Sequence, residues 1–325
     1  MGGMSGSAVA DAATQCKILV PEMEKRGYDK GFCAAVTAAS SLITPMIPPG
    51  TGLLIYAFCT NVSIGKMFVA GYVPGIIMTI LMMLYCAYVS KKRNYGKTRE
   101  VRASGKEIWS ALKGSIVALG LPIFLIVVLR TGICTPTEGG AMCALYALIC
   151  GFVIYKEMKI KDIPKMLLEC VLSTGAVMTV MCATKAFSYY LTWERLPHML
   201  SQALVNSGVS KFTFLLLVNI TLLIMGMFIE GCSFCLIMAP LLLPAVNMYG
   251  IDLVQFGIVM VMNMTIGALT PPFGSVLYTV SPLLKIRVLD LAKELVPFII
   301  ILIGVLFLCT YWPGLVTWLP NLIYR

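Results

Sequence analysis

The sequence predicts an all-α polytopic membrane protein built from two inverted repeats, each holding a re-entrant hairpin and a proline-broken helix. Three observations predict it: composition, a self-match at a fixed offset, and the placement of basic residues. Of 325 residues, 59% are hydrophobic and only 12% charged, where a soluble domain carries about a quarter charged. Mean hydropathy is +0.89. No soluble fold buries that much apolar surface, so the chain belongs in a lipid bilayer. Cytosolic enzymes, nucleic-acid readers and disordered scaffolds are excluded. The net charge of +10 is a topology signal and not the footprint of a nucleic-acid partner.

Taken in order, the start Met1-Gly2-Gly3-Met4-Ser5-Gly6-Ser7 has neither a charged n-region nor an apolar h-region, so it does not read as a signal peptide. Uncharged runs follow at Gly31–Gly65, Met67–Ser90, Gly139–Tyr155, Phe212–Ile229, Gly231–Ile251, Leu253–Leu284 and Leu295–Tyr324. Ile108–Leu129 is interrupted only by Lys113, and Met166–Thr184 only by Glu169. A span needs about 20 apolar residues, so each run is a membrane segment or a hairpin arm at membrane depth. The run with Pro45, Pro48 and Pro49 and the run with Pro271 and Pro272 are too long for one helix. Proline removes a donor and clashes with the preceding turn, so both are discontinuous helices. The 12 cysteines are scattered through apolar stretches, where a thiol behaves as a small hydrophobe. The lone histidine, His198, and the lone CxxC of Cys232 and Cys235 speak against a zinc site.

Sliding the sequence on itself gives a gapless match at an offset of 223, which places Pro21 on Pro244, Gly27 on Gly250 and Asp29 on Asp252. Pro48-Pro49 falls on Pro271-Pro272, and Val73-Pro74 on Val296-Pro297. The prolines carry the match, since apolar identities mean little in so hydrophobic a chain. Basic residues then orient the copies. Lys91, Lys92, Arg93, Lys97, Arg99, Arg102 and Lys106 crowd one loop, which is placed in the cytoplasm. Lys156, Lys159, Lys161 and Lys165 mark a second inside loop, and Lys25, Arg26 and Lys30 a third. No Lys or Arg lies between Lys211 and Lys285, so the loop at Tyr249–Asp252 is placed outside. Asp29 and Asp252 therefore face opposite sides. Inverted repeats with paired broken helices are the pattern of a secondary transporter, with its site at the midplane.

Two parts of each repeat are suited to chemistry. The breaks run Ser40–Thr51 and Asn263–Gly274. They free carbonyls that, with Ser, Thr and Asn oxygens, suit a dehydrated Na⁺. The N-terminus of the following half-helix suits a carboxylate. A packing kink is the simpler account of one Pro-Pro pair, but it does not explain two symmetry-matched ones. The hairpin of the second repeat runs Phe212–Asn247 with its tip at Gly226–Ser233, and the matching tip in the first is Gly3–Ser7. Asp11 and Glu230 are ionisable residues in apolar surroundings. Function is the default reading for each, against a helix-dipole contact for Asp11 and a water-facing tip for Glu230.

The stretches GMSGSAVADAA (Gly3–Ala13), AAVTAASSLITPMIPPG (Ala34–Gly50), GMFIEG (Gly226–Gly231), APLLLP (Ala239–Pro244) and GIDLVQFGIVMVMNMTIGALTPPFG (Gly250–Gly274) resemble the large membrane subunit, or DctM-like permease, of tripartite ATP-independent periplasmic (TRAP) transporters. The resemblance covers essentially the whole chain. It implies Na⁺-coupled, ATP-independent uptake of a small organic acid, such as a dicarboxylate or sugar acid, across the bacterial cytoplasmic (inner) membrane. It also implies a soluble periplasmic binding protein, a small four-helix membrane partner, and an elevator motion of the hairpin-plus-broken-helix core. The implied ion and substrate residues are Ser5, Ser7, Thr44, Pro48, Gly50, Gly231, Ser233, Asn263, Gly267, Thr270 and Gly274. The tip Gly231-Cys232-Ser233 departs from the family's more common Pro/Thr pair. The first repeat also lacks its leading hairpin arm and N-terminal scaffold, which predicts an N-terminally truncated chain: a fragment, a miscalled start or a degraded gene. Roughly 100 further residues would then precede Met1.

The predicted organisation is a first-repeat core over residues 1–90, a basic loop over 91–107, scaffold helices over 108–211 and a second-repeat core over 212–325. Within transporters the alternative is a stand-alone Na⁺/dicarboxylate symporter. Outside them it is a rhomboid-type intramembrane serine protease with Ser5 as nucleophile and His198 as base. That reading leaves the repeat unexplained, and it asks a base between spans to reach a serine at membrane depth.

Overall fold

The computed structural model describes residues 6–95, 104–131, 135–156, 158–195, 199, 202, 207–229 and 231–324. Every regular element among them is helical. The chain divides into two compact units, Met1–Thr98 with Ser188–Arg325, and Arg99–Phe187. By length and composition, five helices among the described residues are able to cross a membrane.

The first repeat contributes α1 (Ala8–Lys25), α2 (Lys30–Ser41), α3 (Thr51–Thr60) and α4 (Ile64–Lys92). The smaller unit follows with α5 (Gly105–Thr131), α6 (Pro136–Ile149), which runs into a π-helical turn at Cys150–Ile154, and most of α7 (Ile163–Trp193). A capping box between Thr135 and Glu138 starts α6. Tyr146 donates to the Val117 carbonyl at 2.7 Å and stacks on Phe124, which joins α6 to α5. Exposed Leu167, Val171 and Leu172 on α7 form the kind of apolar surface that a bilayer covers.

The second repeat supplies α8 (Lys211–Phe228), α9 (Gly231–Met248), α10 (Leu253–Leu269), α11 (Ser275–Leu284), α12 (Val288–Tyr311) and α13 (Pro313–Ile323). Helices α8 and α9 form a hairpin whose ends return to one place. Lys211 donates to the Gly250 carbonyl at 3.2 Å, Tyr249 donates to the Val209 carbonyl at 3.0 Å, and Phe214 stacks on Tyr249. The repeat is visible in the backbone. Helices α2 and α10 begin at matched positions behind Asp29 and Asp252. Gly27 and Gly250, just upstream, both adopt positive φ, at 82° and 60°. Both Pro-Pro bonds are cis.

Across the break the gapless register slips by one residue. Gly50 caps α3 and Gly274 caps α11, a spacing of 224, because Phe273 is an added residue. The final run Leu295–Tyr324 is also not one span, as the sequence reading had it. It divides at Trp312 because Pro313 has no N–H to continue the ladder and instead opens a new helix at its first position.

The two repeats interlock. Helix α1 packs on α11 of the other repeat, and hairpin arm α9 packs on α3. Span α12 packs on α2, and α4 on α10. Near Arg93 the two repeats also meet through charge. The Arg93 guanidinium donates twice to Glu294, at 2.9 Å each, and lies 3.7 Å from Asp29. The Glu294 bonds, with one to Tyr95, hold this guanidinium above its ordinary range.

Arm α8 crosses α10 at two glycines. A Cβ on Gly267 would lie 2.4 Å from the Gly226 carbonyl carbon and 2.7 Å from its Cα, so a side chain here would force two backbones apart. Gly267→Ala is expected to destabilise the fold by about 2 kcal/mol, read from denaturation in detergent. Gly304→Ala is the control, since nothing lies within 4 Å of its Cβ position. Equal stability of the two variants would mean that the crossing is not tight.

Candidate functional site: a cavity at four helix N-termini

A cavity of about 70 Å³ in the larger unit is lined by the starts of four helices. Ser7, Ala8 and Val9 come from α1, Thr51 and Gly52 from α3, Gly231 and Cys232 from α9, and Ser275 from α11. These are the start of α1, the tip of the α8–α9 hairpin and the two half-helices beyond the breaks. Met264, Thr265 and Ala268 of α10, with Pro45 and Gly6, complete the wall. Each helix start carries about half a positive charge, so roughly two positive charges converge on one small space. Among the described lining residues there is no Lys, Arg, Asp or Glu. The arrangement suits an anion held by backbone dipoles.

The breaks are built so that carbonyls approach the cavity. Gly50 sits against the Pro45 carbonyl, where a Cβ would lie 2.0 Å from its oxygen. Gly274 sits against the carbonyls of Ala268 and Thr270, with corresponding distances of 2.7 and 2.9 Å. Pro45 and Ala268 match at the offset of 223. The residues just before α1 are tied to the first half-helix. Gly6, at φ 65°, accepts from the Thr51 hydroxyl at 2.9 Å and from the Thr51 N–H at 3.4 Å.

Two buried polar networks flank the cavity. In the first, the Asp11 carboxylate is 3% exposed, in the first turn of α1. It accepts from Thr44 at 2.7 Å and from Gln15 at 2.6 Å. Gln15 in turn accepts from Ser40 at 3.1 Å. Among the described residues no cationic side chain lies within 4.0 Å of Asp11. In the second, Asn263 donates to Asn219 at 2.8 Å and to the Val259 carbonyl, and Asn219 donates to Thr310 at 3.0 Å. The Asn263 side-chain oxygen is buried with no partner among the described residues, an open acceptor of the kind a cation or a water satisfies.

Of the residues implied by resemblance, Ser7 and Gly231 line the cavity. Gly50 and Gly274 cap the half-helices beside it, and Thr44 adjoins lining residue Pro45. Pro48 is buried in the first break, and Thr270 caps α10. Ser233 lies half-buried in the first turn of α9. Asn263 is buried behind the wall, and Gly267 is held at the crossing with Gly226. Ser5, Glu230 and His198 lie outside the described residues. Sequence reasoning missed Gln15, Asn219 and Thr310. Asn219 carried a signal, being an amide in the middle of an apolar run. Among the described residues there is no group of three or more His, Cys, Asp or Glu able to hold a metal ion.

Fold and site together define an all-α, multi-pass membrane protein. The family model of the tripartite ATP-independent periplasmic transporter, DctM component, matches residues 1–315, and the chain belongs to that family. It is 34% identical over 99% of its length to the sialic acid TRAP transporter permease of Haemophilus influenzae, and spans 52% of that protein. It is 35% identical over 98% of its length to the sialic acid TRAP transporter large permease of Vibrio cholerae, spanning 74% of it. To the C4-dicarboxylate TRAP transporter large permease of Rhodobacter capsulatus it is 33% identical, spanning 76% of that protein. The chain thus covers about half of the first relative and about three quarters of the other two.

Proposed function

We propose that the chain is the translocating subunit of a Na⁺-coupled uptake system for small organic acids in the bacterial inner membrane. It is a transporter component and not an enzyme, and it uses no ATP. A periplasmic binding protein delivers the acid, and a small four-helix membrane subunit accompanies the chain. The observation that carries this reading is the convergence of four helix N-termini on one cavity, a geometry that receives a carboxylate without any basic side chain. The relatives named for sialic acid and C4-dicarboxylate transport support an acidic substrate.

In this reading Na⁺ binds first, among the break carbonyls, Thr44 and the open Asn263 acceptor. The ion makes the site neutral enough for the acid to cross. The hairpins are re-entrant, and the hairpin-plus-broken-helix core slides as an elevator.

The test is initial-rate uptake into proteoliposomes holding the chain and its partner subunits, with and without an inward Na⁺ gradient. Uptake should require the gradient, and uptake indifferent to it would sink the coupling. Asn263→Ala should raise the Na⁺ concentration for half-maximal uptake at least about tenfold, the effect of losing one ligand worth about 1.4 kcal/mol. An unchanged Na⁺ dependence would remove Asn263 from the ion site.

A further inference from the structure

We infer that Asn219 and Thr310 are positioning residues for the ion site, forming a hydrogen-bond relay that fixes the Asn263 side-chain oxygen as an acceptor. This rests on the reading of Asn263 as an ion ligand and deepens it. The direction of the relay follows from which atoms carry hydrogen. The Thr310 hydroxyl donates its one hydrogen to the Leu306 carbonyl at 2.8 Å, so its oxygen is left only to accept. It accepts from the Asn219 amide nitrogen at 3.0 Å, and Asn219 must therefore turn its own oxygen the other way. That oxygen accepts from the Asn263 nitrogen at 2.8 Å. The second hydrogen of the same nitrogen goes to the Val259 carbonyl at 2.8 Å. Both donors of Asn263 are thus spent, and its buried oxygen remains open.

Turning the Asn263 amide over would set its oxygen against two other oxygens, those of Asn219 and Val259. Both bonds oppose the turn, at a place where all three side chains of the relay are buried and an unmade bond is costly. The far end of the relay is anchored as well. Pro313 has no N–H, so the Cys309 carbonyl four residues before it loses its helical donor. Gln255 of α10 takes that place, donating to the Cys309 carbonyl at 3.1 Å and to the Thr310 carbonyl at 2.7 Å. The Gln255 N–H in turn donates to Asp252 at 3.0 Å. The relay therefore joins α8, α10 and α12, and it ends one residue from Met264 in the cavity wall. An acceptor whose direction is set before the ion arrives needs no reorganisation on binding. Each bond of such a chain also polarises the next.

The experiment titrates the full chain in lipid nanodiscs with Na⁺, balanced by choline at constant ionic strength, and follows the melting temperature. Thr310→Val keeps the shape and removes the hydroxyl. It should raise the half-saturating Na⁺ concentration about fivefold, the order of one neutral hydrogen bond lost. Thr310→Ser restores the hydroxyl and should return the parent value. The melting temperature without Na⁺ reports the packing cost separately. A Thr310→Val chain that melts lower but keeps the parent's half-saturating Na⁺ would overturn the relay and leave the ion reading standing. A parent chain that Na⁺ does not stabilise would overturn the ion reading itself, and the relay with it. Asn219→Ala, which leaves Asn263 with the Val259 bond alone, is read in the same way and carries the test where Thr310→Val does not fold.

Discussion

Gly50→Ala should lower the initial rate of uptake at least about 100-fold, the order of loss that follows when backbone at a reacting or binding centre is displaced by about 1 Å. The added methyl would lie 2.0 Å from the Pro45 oxygen and 2.8 Å from its carbonyl carbon. Both are backbone atoms, so the break itself must move. Gly274→Ala meets the Ala268 oxygen at 2.7 Å and should act in the same direction with a smaller effect. Gly304→Ala, with open space around it, should leave uptake unchanged. Near-normal uptake by Gly50→Ala would show that the break tolerates displacement and that its carbonyls do not need fixed positions.

Asp11→Ala and Asp11→Asn should separate structure from charge. Alanine leaves buried Thr44 and half-buried Gln15 without their acceptor and is expected to destabilise the fold by about 2 kcal/mol. Asparagine keeps a carbonyl oxygen able to accept both bonds, so it should fold within about 1 kcal/mol of the parent. It removes the negative charge, however, and Asp11 lies one helical turn from Ser7 at the cavity. Loss of a charge this near the cavity should raise the Na⁺ requirement at least about tenfold, the equivalent of about 1.4 kcal/mol. Thermal denaturation and the Na⁺ dependence of uptake check the two halves. A variant that folds and keeps its Na⁺ dependence would reduce Asp11 to a structural tie.

The parts of this fold legible in the sequence are those that proline, glycine and charge write locally. The broken helices follow from Pro48-Pro49 and Pro271-Pro272, and the second hairpin from two apolar runs meeting at Gly226–Ser233. The inversion was inferred from the basic loops. What could not be read is tertiary. Nothing in the spacing of Ser7, Thr51, Gly231 and Ser275 says that four helix starts share one cavity, because that convergence depends on how the repeats cross. The Asp11–Thr44 bond joins residues 33 positions apart, and no periodicity predicts such a partner. The division at Trp312 was available from Pro313, but an unbroken apolar run masked it. Gly267 is an ion-site glycine by resemblance, and its tightest neighbour is the Gly226 backbone, a contact that sequence alone cannot reveal.

The crossed packing of α1 on α11 and of α9 on α3 bears on how the duplicated halves came to coexist. A duplication ordinarily yields two modules that could each be removed and still fold. Here each copy supplies a wall of the other's interior, so neither is a module any longer. Loss of one half would leave the apolar faces of its partner bare.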